Sequence, residues 1–193
     1  DPPEGIGATS FADLAATPAR APVDAAQRAT GPDTIAKVLF TSGSTSLPKA
    51  VINTLRMTCS NLRMIGQVYP FLAEEPPVLV DWLPWNHTFG GNYCFNLVLR
   101  NGGTLHVDEG RPAPGLFEKS LANLREVAPT AFFNVPRAYD MLVTALRGDE
   151  ALRRNFFSRL QLIFYAAAAL PQHLWDALIE LAEQTVGEHV VLT

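Results

Sequence analysis

From Ile35 onward, short apolar runs alternate with longer stretches in which apolar residues recur every three or four positions. The first pattern predicts strands and the second helices, and their alternation predicts an α/β fold with mixed sheets flanked by helices. Strands are expected at Ala36–Thr41, Ala50–Asn53, Val78–Trp82, Thr104–Val107, Ala131–Phe133, Leu160–Ala166 and His189–Leu192. Helices are expected at Leu55–Tyr69, Asn92–Leu99, Gly115–Glu126, Arg137–Leu146, Glu150–Arg154 and Gln172–Gln184. In the last of these, Leu174, Leu178, Leu181 and Ala182 share one face while Asp176, Glu180 and Glu183 lie elsewhere, so this helix should cover a sheet. Residues 1–34 are rich in Ala, Pro, Gly, Thr and Asp, with one short helical candidate at Ser10–Ala16. They read as a peripheral or connecting segment ahead of a packed domain spanning 35–193.

Between the first two strands lies Thr41-Ser-Gly-Ser-Thr-Ser-Leu-Pro-Lys49, which holds five hydroxyl residues, a glycine, a proline and a lysine. Anion-binding loops combine backbone N–H groups, short hydroxyls and an ammonium without much bulk, and this stretch has all three. Gly43 permits close backbone approach and Lys49 brings the charge. Its spacing is not that of the Walker loop, which has a second glycine before the lysine and opens a helix. Here Pro48 precedes Lys49 and a strand follows, which counts against a Walker-type kinase or ATPase. On composition alone, a solvated Ser/Thr hairpin and an anion site stand about level.

Two further stretches hold candidate chemistry. Trp82-Leu-Pro-Trp-Asn-His-Thr-Phe-Gly-Gly-Asn92 follows a strand end, where ligands sit in α/β folds, and its aromatics suit a flat organic ligand. A lone histidine such as His87 is more often structural than catalytic. Leu162-Ile-Phe-Tyr-Ala-Ala-Ala-Ala-Leu-Pro171 runs from a strand into small residues, and close strand-to-helix packing accounts for it fully. Pro136 suits the first turn of a helix. Trp82, Trp85, Phe89, Phe164 and Tyr165 suit an aromatic acid, although aromatics also fill cores.

Composition narrows the function classes. The 193 residues are 48% hydrophobic, enough to bury a substantial core. Fifteen scattered basic residues against 19 acidic ones give a net charge of −4, which disfavours nucleic acid as a partner. The longest apolar run, Leu162–Leu170, is far below the roughly 18 residues of a membrane span. Cys59 and Cys94 match no zinc or redox spacing and are expected as free thiols of a reducing, cytoplasmic compartment. The chain begins with Asp and ends on Val190-Val191-Leu192-Thr193, which reads as an interrupted strand, so a piece of a longer protein is expected.

Residues Thr41–Ala50 resemble the phosphate-binding signature of the adenylate-forming enzymes, usually T-S-G-[ST]-T-G-x-P-K-[GA]. That superfamily includes acyl-CoA synthetases, luciferases and peptide-synthetase adenylation domains. The one mismatch is Ser46 in place of glycine, at a cost of about 1 kcal/mol or more if the position needs a positive φ. Pro84-Trp-Asn-His87 matches the family's P-x-x-H segment, and Ala166, Ala167 and Ala168 fall on its G-[GA]-A-x-L-P segment. Asn134–Tyr139 is similar to the segment that starts a helix under the acyl pocket. Val51–Met57, Trp82–Asn92, Asp108–Pro112 and Leu170–Ala177 resemble feruloyl-CoA synthetases and related aryl or medium-chain acyl-CoA synthetases, and the likeness runs from about Val38 to Thr193.

The resemblance implies part of the large N-terminal domain of such an enzyme, with a carboxylic acid, ATP, Mg²⁺ and coenzyme A as its small-molecule partners. It implies that Ser42, Ser44, Thr45 and Lys49 hold the β- and γ-phosphates, with Gly43 in the loop and Thr41 near the α-phosphate. His87 would position the acyl carboxylate, Phe89, Gly91, Asn92 and Tyr165 would line the acyl side, and Ala166, Ala167 and Ala168 would let adenine approach the backbone. No residue is assigned to a metal. The implied activity is ATP-dependent activation of an aryl acid, such as the hydroxycinnamate ferulate, through acyl-AMP to its CoA thioester. The family's Y-G-x-T-E segment and ribose-binding aspartate would follow Thr193, and the C-terminal lid domain with its adenylation lysine would be absent. Residues 35–193 are thus expected to be an incomplete ATP- and acyl-binding domain, inactive by itself. The alternative is a non-catalytic nucleotide- or acyl-binding module.

Overall fold

The computed structural model describes residues 7–18, 21–41, 47–187 and 190–193. Two short helices, α1 (Phe11–Ala15) and α2 (Ala21–Ala29), bury none of their residues. Strands β1 (Ile35–Thr41) and β2 (Lys49–Thr54) form an antiparallel pair whose register places Thr41 opposite Lys49. Helix α3 (Leu55–Val68) begins at once, because the Thr54 hydroxyl caps it by accepting the Met57 N–H at 3.4 Å.

The remaining strands are parallel. Strand β3 (Val78–Asp81) pairs with β4 (Thr104–Val107), and between them run a π-helical turn at Thr88–Cys94 and helix α4 (Phe95–Asn101). Helix α4 ends on Gly102, whose left-handed backbone (φ 64°) is cheap only for glycine. After α5 (Phe117–Glu126), strands β5 (Ala131–Asn134), β6 (Leu162–Tyr165) and β7 (Val191–Leu192) form a sheet in that order. Helices α6 (Pro136–Gly148) and α7 (Glu150–Phe157) connect β5 to β6, and α8 (Gln172–Val186) connects β6 to β7. Thr130 ties the two parallel sheets together: its N–H donates to the Val78 carbonyl at 3.0 Å and its hydroxyl accepts the Val78 N–H at 2.8 Å.

Strands β5 and β6 are covered on both faces, which is why they read as unbroken apolar runs. Phe132 and Ile163 face a core built with α6, α7 and α8, around Tyr139, Leu142, Phe156 and Leu178. Phe133 and Leu162 face a second core with Leu62, Leu79, Cys94 and Leu97. The alternation follows from the two-residue period of a strand. The Tyr139 hydroxyl lies 3.0 Å from the Phe132 carbonyl and 2.8 Å from that of Phe164, so α6 is pinned across the β5–β6 pair.

These elements form a mixed α/β arrangement in which helices flank small sheets. Several boundaries differ from the sequence pattern. The expected helix at Asn92–Leu99 is instead a π-helical turn from Thr88 that passes into α4 and runs to Asn101. Gly90 and Gly91 make that turn possible. A Cβ on Gly90 would stand 2.6 Å from the Leu83 carbonyl oxygen, and one on Gly91 would stand 2.1 Å from that of Trp85. Both glycines serve close backbone packing. The Leu160–Ala166 strand shortens to Leu162–Tyr165, and the last strand covers Val191–Leu192, His189 lying outside the described residues.

Candidate active site

Two adjoining cavities open where β2, α3, the π-helical turn and the end of β6 meet. The first, about 520 Å³, has an aromatic wall of Phe89, Tyr93 and Phe164 and a wall from α3 carrying Met57, Thr58 and Asn61. Ala166 and Ala167 close one side. The second, about 610 Å³, is bounded by Leu39, Phe40, Thr41 and Val51 of the hairpin together with Pro84 and Asn86. Asn53, His87 and Thr88 line both, so they form the partition between an apolar chamber and the base of the Thr41–Lys49 segment.

His87 is oriented by its own backbone. Its Nδ1 accepts the Phe89 N–H at 3.2 Å, its N–H donates to the Pro84 carbonyl at 3.0 Å, and its carbonyl accepts the Gly91 N–H at 2.8 Å. With Nδ1 occupied as an acceptor, the neutral ring carries its proton on Nε2, which leaves that nitrogen as a donor. The π-helical turn thus fixes both the ring and its tautomer.

Beside His87, a chain of amides sets a second orientation. Asn53 Nδ2 donates to the Val51 carbonyl at 3.0 Å, so Asn53 Oδ1 is the atom that faces Asn92. It accepts from Asn92 Nδ2 at 2.9 Å, and the same nitrogen lies 3.3 Å from Thr88 Oγ1. Lys37, on β1, approaches the Gly91 carbonyl at 3.5 Å and links the hairpin to the turn.

Ala167 has φ 76°, the left-handed region that favours glycine, and it does so on the cavity wall. Such strain costs about 1–2 kcal/mol for a residue with a Cβ. The run of small residues therefore does more than permit close packing: it turns the chain sharply at the end of β6.

Buried charge lies just behind the site. Asp81, at the end of β3, is 5% exposed, and its carboxyl is pushed up from 3.8 to about 6. Burial is the main cause, opposed by the Leu83 N–H that Oδ1 accepts at 2.9 Å and by the adjacent Cys94 thiol; the Asp108 carboxylate adds to the upward push. Oδ2 has no hydrogen-bond partner of normal geometry among the described residues. The Cys94 thiol is itself pushed far up, by burial first and by Asp81 second. It behaves as a packed apolar group. Cys59 is exposed, and both cysteines are free.

The sequence-derived candidates fall into groups. His87, Phe89, Asn92, Ala166 and Ala167 line the first cavity, and Thr41 lines the second. Lys49 is exposed at the start of β2, its carbonyl 3.4 Å from the Thr41 hydroxyl. Ser42, Gly43, Ser44, Thr45 and Ser46 lie outside the described residues. Gly91 is buried behind the cavity against Trp85, and Ala168 is exposed beyond it. Tyr165 lies on the opposite face of the sheet, its ring edge-on to Trp175 at 5.9 Å, while Phe164 faces the cavity. Trp82 Nε1 donates to Asn134 Oδ1 at 3.1 Å, and Trp85 packs on Phe95, so neither tryptophan is part of the aromatic wall.

Sequence reasoning missed Asn53, Met57, Thr58, Asn61 and Tyr93. The α3 residues left a signal: Thr58 and Asn61 are three apart beside the buried Leu62 and Ile65, placing a polar strip along a buried helix face. Among the described residues, no group of three or more His, Cys, Asp or Glu side chains comes together as a metal site, and no helix is long and apolar enough to cross a membrane.

Comparison with known proteins points the same way as this geometry. Residues 6–190 match the model of the family described as AMP-binding enzyme. A 3-[(3aS,4S,7aS)-7a-methyl-1,5-dioxo-octahydro-1H-inden-4-yl]propanoyl:CoA ligase from Rhodococcus jostii (strain RHA1) is 26% identical over 95% of this chain and 33% of its own length. The human long-chain-fatty-acid–CoA ligase ACSBG1 is 26% identical over 74% of this chain and 20% of its own. Among solved structures, a malonyl-CoA ligase in a ternary product complex with methylmalonyl-CoA and AMP superposes with a TM-score of 0.66 at 26% identity, over 84% of this chain and 33% of that one. The chain spans about a third or less of the length of these relatives.

Proposed function

Since the chain belongs to the AMP-binding enzyme family, we propose that it supplies part of the ATP- and acid-binding domain of an acid–CoA ligase acting through an acyl-AMP intermediate. The observation that carries this reading is the partition at Asn53, His87 and Thr88. An acid whose apolar body fills the aromatic chamber would bring its carboxylate to this partition. A nucleotide triphosphate held over the hairpin would approach the partition from the other side.

The residues have distinct tasks in this scheme. His87, with Nε2 free to donate, holds and orients the carboxylate. Lys49, together with Thr41, Ser42, Gly43, Ser44 and Thr45, neutralises and positions the polyphosphate, so that carboxylate and α-phosphate meet despite their like charge. The left-handed turn at Ala167, flanked by Ala166 and Ala168, gives the nucleotide base a wall with little bulk. Phe89 and Asn92 shape the acyl chamber, with Gly91 behind them and Tyr165 supporting the sheet. Mg²⁺, when bound beside Lys49, would add charge neutralisation to the polyphosphate. Coenzyme A would then displace AMP.

The aromatic wall favours an aryl acid, with hydroxycinnamates such as ferulate as the leading candidates. We place residues 1–34 as a connecting segment and 35–193 as part of the N-terminal domain, completed in the whole protein by further chain and a lid domain, and assign that protein to the cytoplasm. ATP–pyrophosphate exchange by the full-length protein should depend on added aryl acid. Lys49→Ala should lower that exchange by at least about 100-fold while reducing thioester formation from supplied acyl-AMP far less. Equal loss in both half-reactions would overturn the phosphate role.

A further inference from the structure

The hairpin and the π-helical turn frame the two cavities, and one side chain that lines neither cavity joins these two elements. In the β1–β2 register Lys37 stands opposite Asn53. Their side chains reach consecutive residues of the turn: Lys37 Nζ lies 3.5 Å from the Gly91 carbonyl oxygen, and Asn53 Oδ1 accepts from Asn92 Nδ2 at 2.9 Å. The Gly91 N–H in turn donates to the His87 carbonyl at 2.8 Å, so Gly91 alone stands between the Lys37 ammonium and the backbone of His87. The register shifts between Ile35 and Lys37, and bulges of this kind re-aim the side chains beside them. Asn53 lines both cavities, whereas Lys37 lines neither, so Lys37 acts on a ligand only through the elements it joins.

The place of this contact along the hairpin gives it leverage. The base of the hairpin is tied to α3: the Leu55 N–H donates to the Thr34 carbonyl at 3.0 Å, the Arg56 N–H donates to the Pro32 carbonyl at 2.7 Å, and Arg56 pairs with Asp33 at 2.8 Å. Thr41, at the far end, is about 20 Å along the strand from Ile35 but about 13 Å from Lys37. A hairpin fixed at its base alone would therefore swing Thr41 and Lys49 further, relative to His87, than one also held at Lys37. We propose that Lys37 is a positioning residue for acyl-AMP formation, locking the hairpin to the π-helical turn so that triphosphate and carboxylate keep their reactive separation. This role rests on the ligase reading above, in which the hairpin holds the one and His87 the other. In that step a carboxylate oxygen bonds to the α-phosphorus as pyrophosphate leaves, starting from atoms about 3–3.5 Å apart. A misplacement of about 1 Å can cost about 100-fold in rate.

The test uses the full-length protein with ATP and whichever of ferulate, benzoate and octanoate gives the fastest ATP–pyrophosphate exchange. Lys37→Met keeps the aliphatic stem and removes the ammonium. It should lower kcat for exchange by about 10-fold or more, with KM for ATP and for the acid each within about 2-fold of wild type. Thioester formation from the matching acyl-AMP, supplied ready-made, should also stay within about 2-fold, because there the oxygen–phosphorus bond already exists. Lys37→Arg, which restores a cationic donor, should recover most of the exchange rate. Lys37→Gln, polar but too short for the Gly91 carbonyl, should behave like Lys37→Met and keeps the test open should that variant misfold. Exchange at the wild-type rate in these two variants would overturn the role and leave the ligase reading intact. Equal loss in both half-reactions would overturn it in favour of general destabilisation, and a rise in either KM as large as the fall in kcat would make Lys37 a ligand contact instead. A wild type inert toward all three acids would remove the ligase reading, and this role with it.

Discussion

Asp81 places a carboxyl of raised pKa behind the site, and the sign of its effect on stability is determined. Below about pH 4 the group holds its proton whether the chain is folded or unfolded. Between about pH 4 and pH 6 the folded chain keeps a proton that the unfolded chain has lost, so stability falls as pH rises through this window. The shift from 3.8 to about 6 corresponds to about 3 kcal/mol. Asp81→Asn, which retains an acceptor for the Leu83 N–H, should flatten this dependence. Urea midpoints of wild type and variant at pH 4.5 and pH 7 measure it: the variant should gain on the wild type at the higher pH, and parallel behaviour would refute the assignment. A partition residue makes a separate prediction in catalysis. His87→Ala in the full-length protein should raise KM for the acid more than KM for ATP, which steady-state kinetics with each substrate varied will show.

Glycine has opposite values in the two elements that frame the chamber. In α3, a Cβ on Gly66 meets nothing within 4 Å. Gly66→Ala should therefore raise stability by about 0.5–1 kcal/mol through helix propensity and a less disordered unfolded state. In the π-helical turn, a Cβ on Gly91 meets the Trp85 carbonyl at 2.1 Å. Gly91→Ala should cost about 1–3 kcal/mol and push Asn92 out of register with Asn53; thermal unfolding of both variants separates the two cases. These elements also show what sequence makes legible. Strands β5 and β6 were readable because burial on both faces leaves unbroken apolar runs, and α8 because its apolar face repeats at helical spacing. The π-helical turn was not, since Gly90 and Gly91 look like loop residues until the backbone they pack against is known. The Asn53–Asn92 bond joins residues 39 positions apart, so no local pattern announces it. The motif draws attention to His87, which lines both cavities, whereas the α3 strip carries no motif and Thr58 and Asn61 resemble a solvated helix face.

Burial across the whole molecule is uneven. Among the described residues before Leu62 none is buried, whereas both cores lie between Leu62 and Val190. Phe40 remains 70% exposed and Ile52 52% exposed, so a segment rightly read as strand is not thereby read as core. Opening free energies should follow this division. Hydrogen exchange read by mass spectrometry should find peptides spanning 131–165 protected at least about 100-fold more than those spanning 35–54; uniform protection would contradict it. The pairing of Thr41 with Lys49 gives the hairpin a different significance. Strand pairing alone sets the separation of these two residues, at about 5 Å between Cα atoms, so the entropy of closing the segment between them is already lost in forming the hairpin. The strand pair therefore acts as a fixed mount: its two ends, Thr41 and Lys49, are set by the ladder itself.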